Sequence, residues 1–264
     1  MYQRPNTPLV QSLLLSTILS SSLITSACSA ESSNTPVLSN QSTPAEIYEL
    51  GLAYYEGDSV PQDYKEAFSL FKKAADRGNS PAQFYTGIMY YEGIGTEKSY
   101  KKAGKYLLPV ANQGNAPAQS NLAIMYENGE GFEQDYKQAM HWYLLAADND
   151  SVLAQNNVGT MYYFGRGVPQ SYAKALEWYK KADDKGSDMA QLNIGGLYEN
   201  GYGVSQDYDI AFEWYKKAAD QGNQEASNRI GRLVMNGKID DEGITIYSTQ
   251  ETGLTLGDIE DMSQ

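Results

Sequence analysis

The sequence predicts an all-α solenoid of about five and a half helical hairpins, each 36 residues long. Three series of residues recur at this spacing without insertion. The first is a series of tyrosines, and the second consists of glutamines that each follow an alanine: Tyr64, Tyr100, Tyr136, Tyr172 and Tyr208, with Gln83, Gln119, Gln155 and Gln191. The third is Gly57, Gly93, Gly129, Gly165, Gly201 and Gly237. Such repetition indicates units that stack because none can bury its apolar face alone.

The composition limits the possible partners. The 264 residues include 33 acidic and 20 basic side chains, which gives a net charge of −13. Phosphate binding relies on clustered Lys and Arg, so this balance argues against nucleic acid and anionic lipid headgroups. One cysteine and one histidine cannot build an internal disulfide framework and offer little to a zinc ion. We therefore expect no metal, no cofactor and no nucleic acid.

Residues 1–27 have the layout of a secretory signal peptide. A basic residue, Arg4, precedes the stretch 9–24, which is apolar but too short and too rich in serine for a membrane span. The segment ends in the letters ITSAC, which resemble the lipobox of bacterial lipoproteins, with Cys28 as the residue that would be acylated. The resemblance implies export to the periplasm or outer membrane, with the membrane contacted only through a lipid anchor. Ordinary cleavage without acylation is the alternative.

The repeat region is flanked by two segments that do not show the 36-residue pattern. Residues 28–44 are rich in Ser, Asn, Thr and Pro and predict a flexible tether, which as a coil spans roughly 20–25 Å. The repeats occupy 45–237. Residues 238–264 carry seven acids and one lysine and predict a partly disordered tail whose start covers the last repeat. A recognition tail of its own is the alternative.

Each repeat opens with a predicted helix, helix A. At 81–93, Ala82, Thr86, Met89 and Tyr90 fall at helical spacing. Most copies also place a glycine in the middle of this helix, where it costs about 1 kcal/mol relative to alanine. The repeated penalty indicates a steric need, which we assign to close approach of the second helix. The residues concerned are Gly51, Gly87, Gly159, Gly195 and Gly231, with Ala123 as the exception.

The second helix, helix B, is clearest at 172–185, where Ala175, Trp178, Tyr179 and Ala182 lie on one side. Before each repeated tyrosine stands a residue able to cap this helix: Asp63, Ser99, Asp135, Ser171 and Asp207. Near its far end a left-handed residue is expected at Gly78, Gly114, Gly186 and Gly222, with Asp150 as the departure. Four large rings are expected to fill the space between repeats: Tyr90, Trp142, Trp178 and Trp214.

The pattern AQ-N-(L/V/I)-G-x-(M/L)-Y-x-x-G-x-G-V, followed by Y-x-x-A-x-x-W-Y-x-K-A, resembles the Sel1-like repeat. This family is a longer relative of the tetratricopeptide repeat, and the pattern is best seen at 154–188 and 190–222. The resemblance covers 45–237 and implies a right-handed α/α solenoid whose inner curve is lined by helix A. It is specific for fold and says little about function, because one fold can carry many activities.

In proteins of this family, the side of helix A turned away from helix B is the expected place for a ligand. On one copy that stripe includes Phe84, Ile88, Tyr91 and Glu92. Counterparts in other copies complete the candidate partner-binding set: Tyr48, Tyr55, Glu127, Tyr163 and Phe164. Tyrosine offers a large rigid contact area and glutamate can select Lys or Arg, so the stripe favours a protein or peptide. The alternative is that individual rings fill gaps between copies.

Catalytic motifs are missing from the sequence. It contains no nucleophile elbow, P-loop or HExxH, and the G-x-G loops do not complete a dinucleotide fingerprint. His141 takes the phase of Glu177 and Glu213 in sister copies and is expected at the surface. We therefore expect no enzyme and no catalytic residue.

The resulting hypothesis is a non-catalytic protein–protein interaction scaffold of the bacterial envelope, an adaptor or surface receptor that binds along helix A. One alternative is a cell-wall or β-lactam-binding protein with weak hydrolase activity, as the resemblance to cysteine-rich relatives suggests. Those relatives close a disulfide in each repeat, which this chain cannot do. A further alternative is an immunity protein or a host-factor-binding protein.

Overall fold

The computed structural model describes residues 41–239, and in that range the chain forms eleven α-helices and no strand. The signal segment, Cys28, the tether up to residue 40 and the tail from residue 240 lie outside the described residues. The helices are α1 (Pro44–Glu56), α2 (Tyr64–Ala75), α3 (Ser80–Glu92), α4 (Tyr100–Asn112), α5 (Ala116–Asn128), α6 (Tyr136–Asp148), α7 (Val152–Phe164), α8 (Tyr172–Asp183), α9 (Asp188–Asn200), α10 (Tyr208–Ala219) and α11 (Gln224–Met235).

The described residues form a solenoid of hairpins, as predicted. Each odd-numbered helix is a helix A and packs most extensively on the helix B that follows it, and each helix B packs in turn on the next helix A. We number the hairpins repeats 1 to 5, from α1/α2 to α9/α10, with α11 as the helix A of a sixth. None of the helices in 41–239 is both long and apolar enough to span a bilayer.

Four of the five predicted glycines inside helix A face helix B, which confirms their role there. A Cβ atom added at Gly51, Gly87, Gly159 or Gly195 would lie 2.6–2.8 Å from a side chain of helix B. In repeats 4 and 5 the residue filling this space is a fully buried tyrosine, Tyr179 or Tyr215, whereas repeat 3 has Ala123 at the glycine position. Because the gap opposite these four glycines is too small for a methyl group, glycine is retained in their repeats despite its helix penalty.

The predicted role of the tryptophans is correct only in part. Tyr90 and Trp142 are buried, at 5% and 7% exposure, whereas Trp178 and Trp214 are only half-buried. Lys181 Nζ lies 3.7 Å from the centroid of the Trp178 ring. Trp214 still packs against the buried cluster that repeats 4 and 5 share, as predicted, and Lys217 Nζ lies 4.9 Å from the centroid of its ring. Both half-buried tryptophans therefore also support a lysine at the surface.

The loop between helix A and helix B contains a second glycine that allows successive repeats to approach closely. At Gly167, which has φ +71°, a Cβ atom would lie 2.4 Å from the backbone oxygen of Tyr136 in the preceding repeat. The equivalent glycines are in similar contact with their preceding repeats: Gly95, Gly131 and Gly203. Ser59 takes this position in repeat 1, with φ 63°. Within residues 41–239 no hairpin precedes repeat 1, so this position has no preceding helix B to approach.

The predicted helix ends are confirmed with one correction. Four of the predicted N-cap residues accept hydrogen bonds from backbone N–H groups in the first turn, whereas Ser99 accepts none. The glycines expected beyond helix B have φ between 82° and 89°, and Asp150, the one departure, has φ 65°. These positions let each helix B end and the chain turn into the next helix A.

The C-terminal end of the described array differs from the interior. Within 41–239, α11 has no helix B after it, and a Cβ atom at Gly231 would meet nothing within 4 Å. Met235 is 86% exposed. Ile239 is fully buried and packs with Tyr215 and Leu233, so the first residues after α11 cover part of the last hairpin.

Candidate functional site

The candidate site is the set of helix-A residues that stay at least partly exposed, which we call the A face. Of the predicted residues, Tyr48, Tyr55, Tyr91, Glu92, Glu127 and Tyr163 are half-buried. Phe164 is the most accessible, at 43% exposure. These side chains come from four different odd-numbered helices, so the A face runs across repeats 1 to 4.

Phe84 and Ile88 do not belong to the accessible part of this surface, which corrects the prediction. They are 5% and 4% exposed. The position of Phe84 packs between successive A helices, as its counterpart in repeat 4 shows: Asn156 Oδ1 accepts a hydrogen bond of 2.9 Å from Asn193 Nδ2 in repeat 5. The position of Phe84 therefore contributes to the contact between repeats, and neither buried side chain is accessible to a ligand.

The aromatic rings of repeat 1 form a cluster with one ring of repeat 2. Tyr85 stacks on the buried Phe71 with centroids 4.9 Å apart, and Tyr48 and Tyr55 lie 5.9 Å and 5.7 Å from Tyr85. Tyr55 also meets Tyr64 edge-on at 5.3 Å. Burial, and next the neighbouring Tyr64, raises the pKa of Tyr55 to about 12. Its hydroxyl thus stays neutral and able to donate at physiological pH.

In repeat 2 the matching tyrosine has internal partners. The Tyr91 hydroxyl donates a hydrogen bond of 2.7 Å to Glu130 in the next repeat, and burial together with this bond raises the pKa of Tyr91. The Lys98 ammonium lies 5.9 Å from the Tyr91 centroid and 5.2 Å from that of Tyr100. Repeat 2 therefore provides its own cation for its tyrosine pair.

Glu127 is held by two other side chains of the protein. It accepts a hydrogen bond of 2.8 Å from the Tyr143 hydroxyl and forms an ion pair of 2.9 Å with Arg166. Burial and then the Glu127 charge raise the pKa of Tyr143. The same arrangement recurs in repeat 5, where Glu199 accepts from Tyr215 and lies 3.4 Å from Arg229.

Sequence reasoning missed the residues that engage these two glutamates. Arg166 and Arg229 were not assigned a role, although Arg166 occupies the variable position between two loop glycines. The sequence held two hints of this pairing. Glu127 and Glu199 take the place of tyrosine in repeats 3 and 5, and the next arginine along the chain after each of them is Arg166 or Arg229. The paired acids have less capacity to bind a partner cation than unpaired ones.

Repeat 4 contributes a second aromatic group to the A face. Tyr163 meets Phe164 and Tyr172 at centroid distances of 4.8 Å and 5.2 Å. Tyr202, from the next loop, stacks on Tyr172 at 4.8 Å, and the Arg166 guanidinium lies 4.8 Å from the Phe164 centroid. Phe164 and Tyr202 remain 43% and 37% exposed, an accessible aromatic surface next to a cation.

The described residues show no arrangement that indicates catalysis. Within 41–239, no group of three or more His, Cys, Asp or Glu side chains is placed to hold a metal ion. His141 is exposed on α6, where the sequence analysis expected it. That the chain is not an enzyme and takes no cofactor stays a prediction.

The fold and the repeat spacing define a class, the α-solenoids of short helical hairpins. The Sel1 repeat model matches residues 47–79, 80–115, 116–151, 152–187 and 188–223, and the chain belongs to the Sel1 repeat family. Sel1 repeats are commonly protein–protein interaction scaffolds. A search of curated proteins finds no match.

Two solved structures agree with this assignment. A Sel1 repeat protein from Oxalobacter formigenes is 31% identical, with a TM-score of 0.68, over 84% of this chain and 89% of that one. A protective antigen present in uropathogenic Escherichia coli strains, displaying an SLR fold, is 35% identical with a TM-score of 0.67. That alignment covers 75% of this chain but only 42% of the Escherichia coli protein.

Proposed function

We propose that the chain is a non-catalytic scaffold of the bacterial envelope that binds a protein or peptide segment along the A face. The observation that carries the proposal is the partial exposure of aromatic rings at Tyr55, Tyr91, Tyr163 and Phe164. Aromatic anchors of this kind dominate the energetics of protein interfaces. The family supports the same general role, since its repeats commonly serve as interaction scaffolds.

The place of action is part of the proposal. Its support is the sequence of residues 1–28, which resembles an exported lipoprotein and suggests a lipid anchor at Cys28. We expect the mass of the mature N-terminal peptide to match a diacylated or triacylated Cys28. An unmodified N-terminus at another residue would contradict the anchor without affecting the binding proposal.

The binding proposal is tested by comparing two double variants in pull-downs from envelope and host-cell extracts. Phe164→Ala with Tyr202→Ala removes the exposed ring of repeat 4 and the exposed ring that the loop of repeat 5 places beside it. Hot-spot aromatic residues contribute about 2 kcal/mol or more to binding, so we expect capture to fall roughly tenfold or more. Mass spectrometry of the retained proteins measures this loss.

The control variant carries His141→Ala and Ile210→Ala, which remove exposed side chains of helix B. We expect it to capture as much partner as the wild type. Far-ultraviolet circular dichroism confirms that both variants remain helical. Equal capture by the two variants would refute the A-face assignment. Retention of a toxin or of cell-wall fragments would favour one of the alternative functions.

A further inference from the structure

We propose that repeat 1 holds a receptor site for a single Lys or Arg side chain of the bound segment, formed by Tyr48, Tyr55, Tyr64 and Tyr85 with Glu56. We call it the repeat-1 cation site. The inference rests on the proposed function, because it assigns a chemical class to the segment that the A face binds.

The main argument is a comparison of repeats 1 and 2. Tyr55 and Tyr64 meet at 5.3 Å and 67°, and their counterparts Tyr91 and Tyr100 meet at 5.1 Å and 60°. In repeat 2 this pair is occupied by the Lys98 ammonium, within 6 Å of both rings. In repeat 1 the position of Lys98 is taken by a neutral residue, so a nearly identical tyrosine pair has no cation from its own loop.

The neutral residue is Gln62, whose side chain is used elsewhere. Its Nε2 donates a hydrogen bond of 2.9 Å to the backbone oxygen of Tyr55, at the end of α1. The amide therefore satisfies a carbonyl group at the C-terminal end of α1, and it provides no positive charge to the rings. The faces of tyrosine rings attract cations through the ring quadrupole, which leaves this interaction available to a partner.

Three carboxylates near the ring cluster favour a positively charged occupant. Burial is the main cause of the raised pKa of Tyr48, Tyr55 and Tyr85, and the charge of Glu56 adds to it in all three. Glu49 acts similarly on Tyr48, and Glu92 on Tyr55. Among the ion pairs of residues 41–239, none involves these three glutamates.

Repeat 4 shows why repeat 1 is the better candidate. Its pair, Tyr163 and Tyr172, has the same edge contact at 5.2 Å and 66°. However, Tyr202 stacks on Tyr172. Burial raises the pKa of Tyr163, and the positive charge of Arg229 acts in the opposite direction and lowers it. In repeat 4 the tyrosine pair is thus already covered by the Tyr202 ring and lies near the Arg229 cation, both of which belong to the protein itself.

The test adds a lysine to the protein that should compete with the bound segment for the rings, and it leaves the rings themselves in place. In the full mature chain, Gln62→Lys places a lysine where repeat 2 has Lys98, so its ammonium should occupy the rings. The probe is a fluorescent peptide in which Lys alternates with Gly, and anisotropy gives its dissociation constant. We expect Gln62→Lys to weaken binding about tenfold. Glu56→Gln, which keeps the side-chain shape, should weaken it as well.

The matched control is Gln206→Lys. Gln206 makes the same hydrogen bond to the end of its helix A, at 2.8 Å to the oxygen of Glu199. The substitution therefore costs the same bond and adds the same charge, but in a repeat where Glu199 takes the place of Tyr55. We expect the dissociation constant to stay within about twofold of wild type.

Two results would overturn the inference. One is equal weakening by Gln62→Lys and Gln206→Lys, which would mean that only overall charge matters. The other is a peptide with norleucine in place of Lys that binds as tightly as the Lys peptide. Neither result would change the loss of partner capture expected for the Phe164 and Tyr202 double variant. The repeat-1 cation site can therefore fail while the proposed function stands.

Discussion

Gly195→Ala is expected to lower the free energy of unfolding by about 1–3 kcal/mol, although alanine is the better helix former. The new Cβ atom would lie 2.6 Å from ring carbons of Tyr215 and 3.2 Å from the backbone oxygen of Ala211. Tyr215 is fully buried, so its ring has no free space into which it could move. Urea denaturation of the mature chain, followed by circular dichroism, measures the change.

Gly231→Ala is the matched control for this substitution. Gly231 occupies the same position in α11, where a Cβ atom meets nothing within 4 Å. With no clash, the higher helix propensity of alanine should stabilise the chain by about 0.5–1 kcal/mol. Opposite signs for the two substitutions are therefore expected. Destabilisation by Gly231→Ala as well would show that something packs on α11 at this point.

Gly167→Ala is expected to cost about 3 kcal/mol or more, the larger of the two effects. Alanine is strained at φ +71°, and its Cβ atom would lie 2.4 Å from the Tyr136 oxygen. Because that neighbour is backbone, relief requires movement of a whole repeat relative to the next. In a solenoid each interface contributes separately, so this change weakens the contact between repeats 3 and 4. Thermal and urea unfolding both report it.

The strain and the clash can be separated with Gly114→Ala. Gly114 has φ +88°, and its Cβ atom would meet nothing within 4 Å. Its replacement should cost only the strain of a left-handed alanine, about 1–2 kcal/mol. The excess cost of Gly167→Ala then measures the contact between repeats. Equal losses at the two positions would contradict the role assigned to the second loop glycine.

The helices and their packing could be predicted because each position of the repeat can be compared with the equivalent positions in the other copies. A glycine in the middle of one helix has many explanations, but the same glycine in Gly51, Gly87, Gly159 and Gly195 indicates one steric cause. The structure confirms that cause. Buried positions are constrained in the same way in every copy, so the sequence contains their signal several times.

The A face was predictable only in part. A helical wheel gives the side on which Phe84 and Ile88 lie, but it does not give the angle at which one A helix packs against the next. That angle decides how much of this side the next A helix covers, and both side chains are buried. Phe164, the last residue of α7, is exposed.

Contacts between repeats were the hardest to predict from sequence. The pairing of Arg166 with Glu127 joins residues 39 positions apart, which is not the repeat length, so the period does not indicate it. The second loop glycine did leave a signal, since Ser59 replaces it only in the copy that follows no other. Its meaning depends on the position of the preceding helix B, which the spacing alone does not provide.

The account depends most on the claim that a protein segment binds the A face. Cross-linking from single positions tests this directly, with a photoreactive phenylalanine placed at Phe164 on α7 or, as a control, at His141 on α6. Both positions are exposed, and an aromatic replacement preserves the ring at Phe164. We expect partner adducts from position 164 and none from position 141. Adducts from position 141 alone would place the partner on helix B and contradict the account.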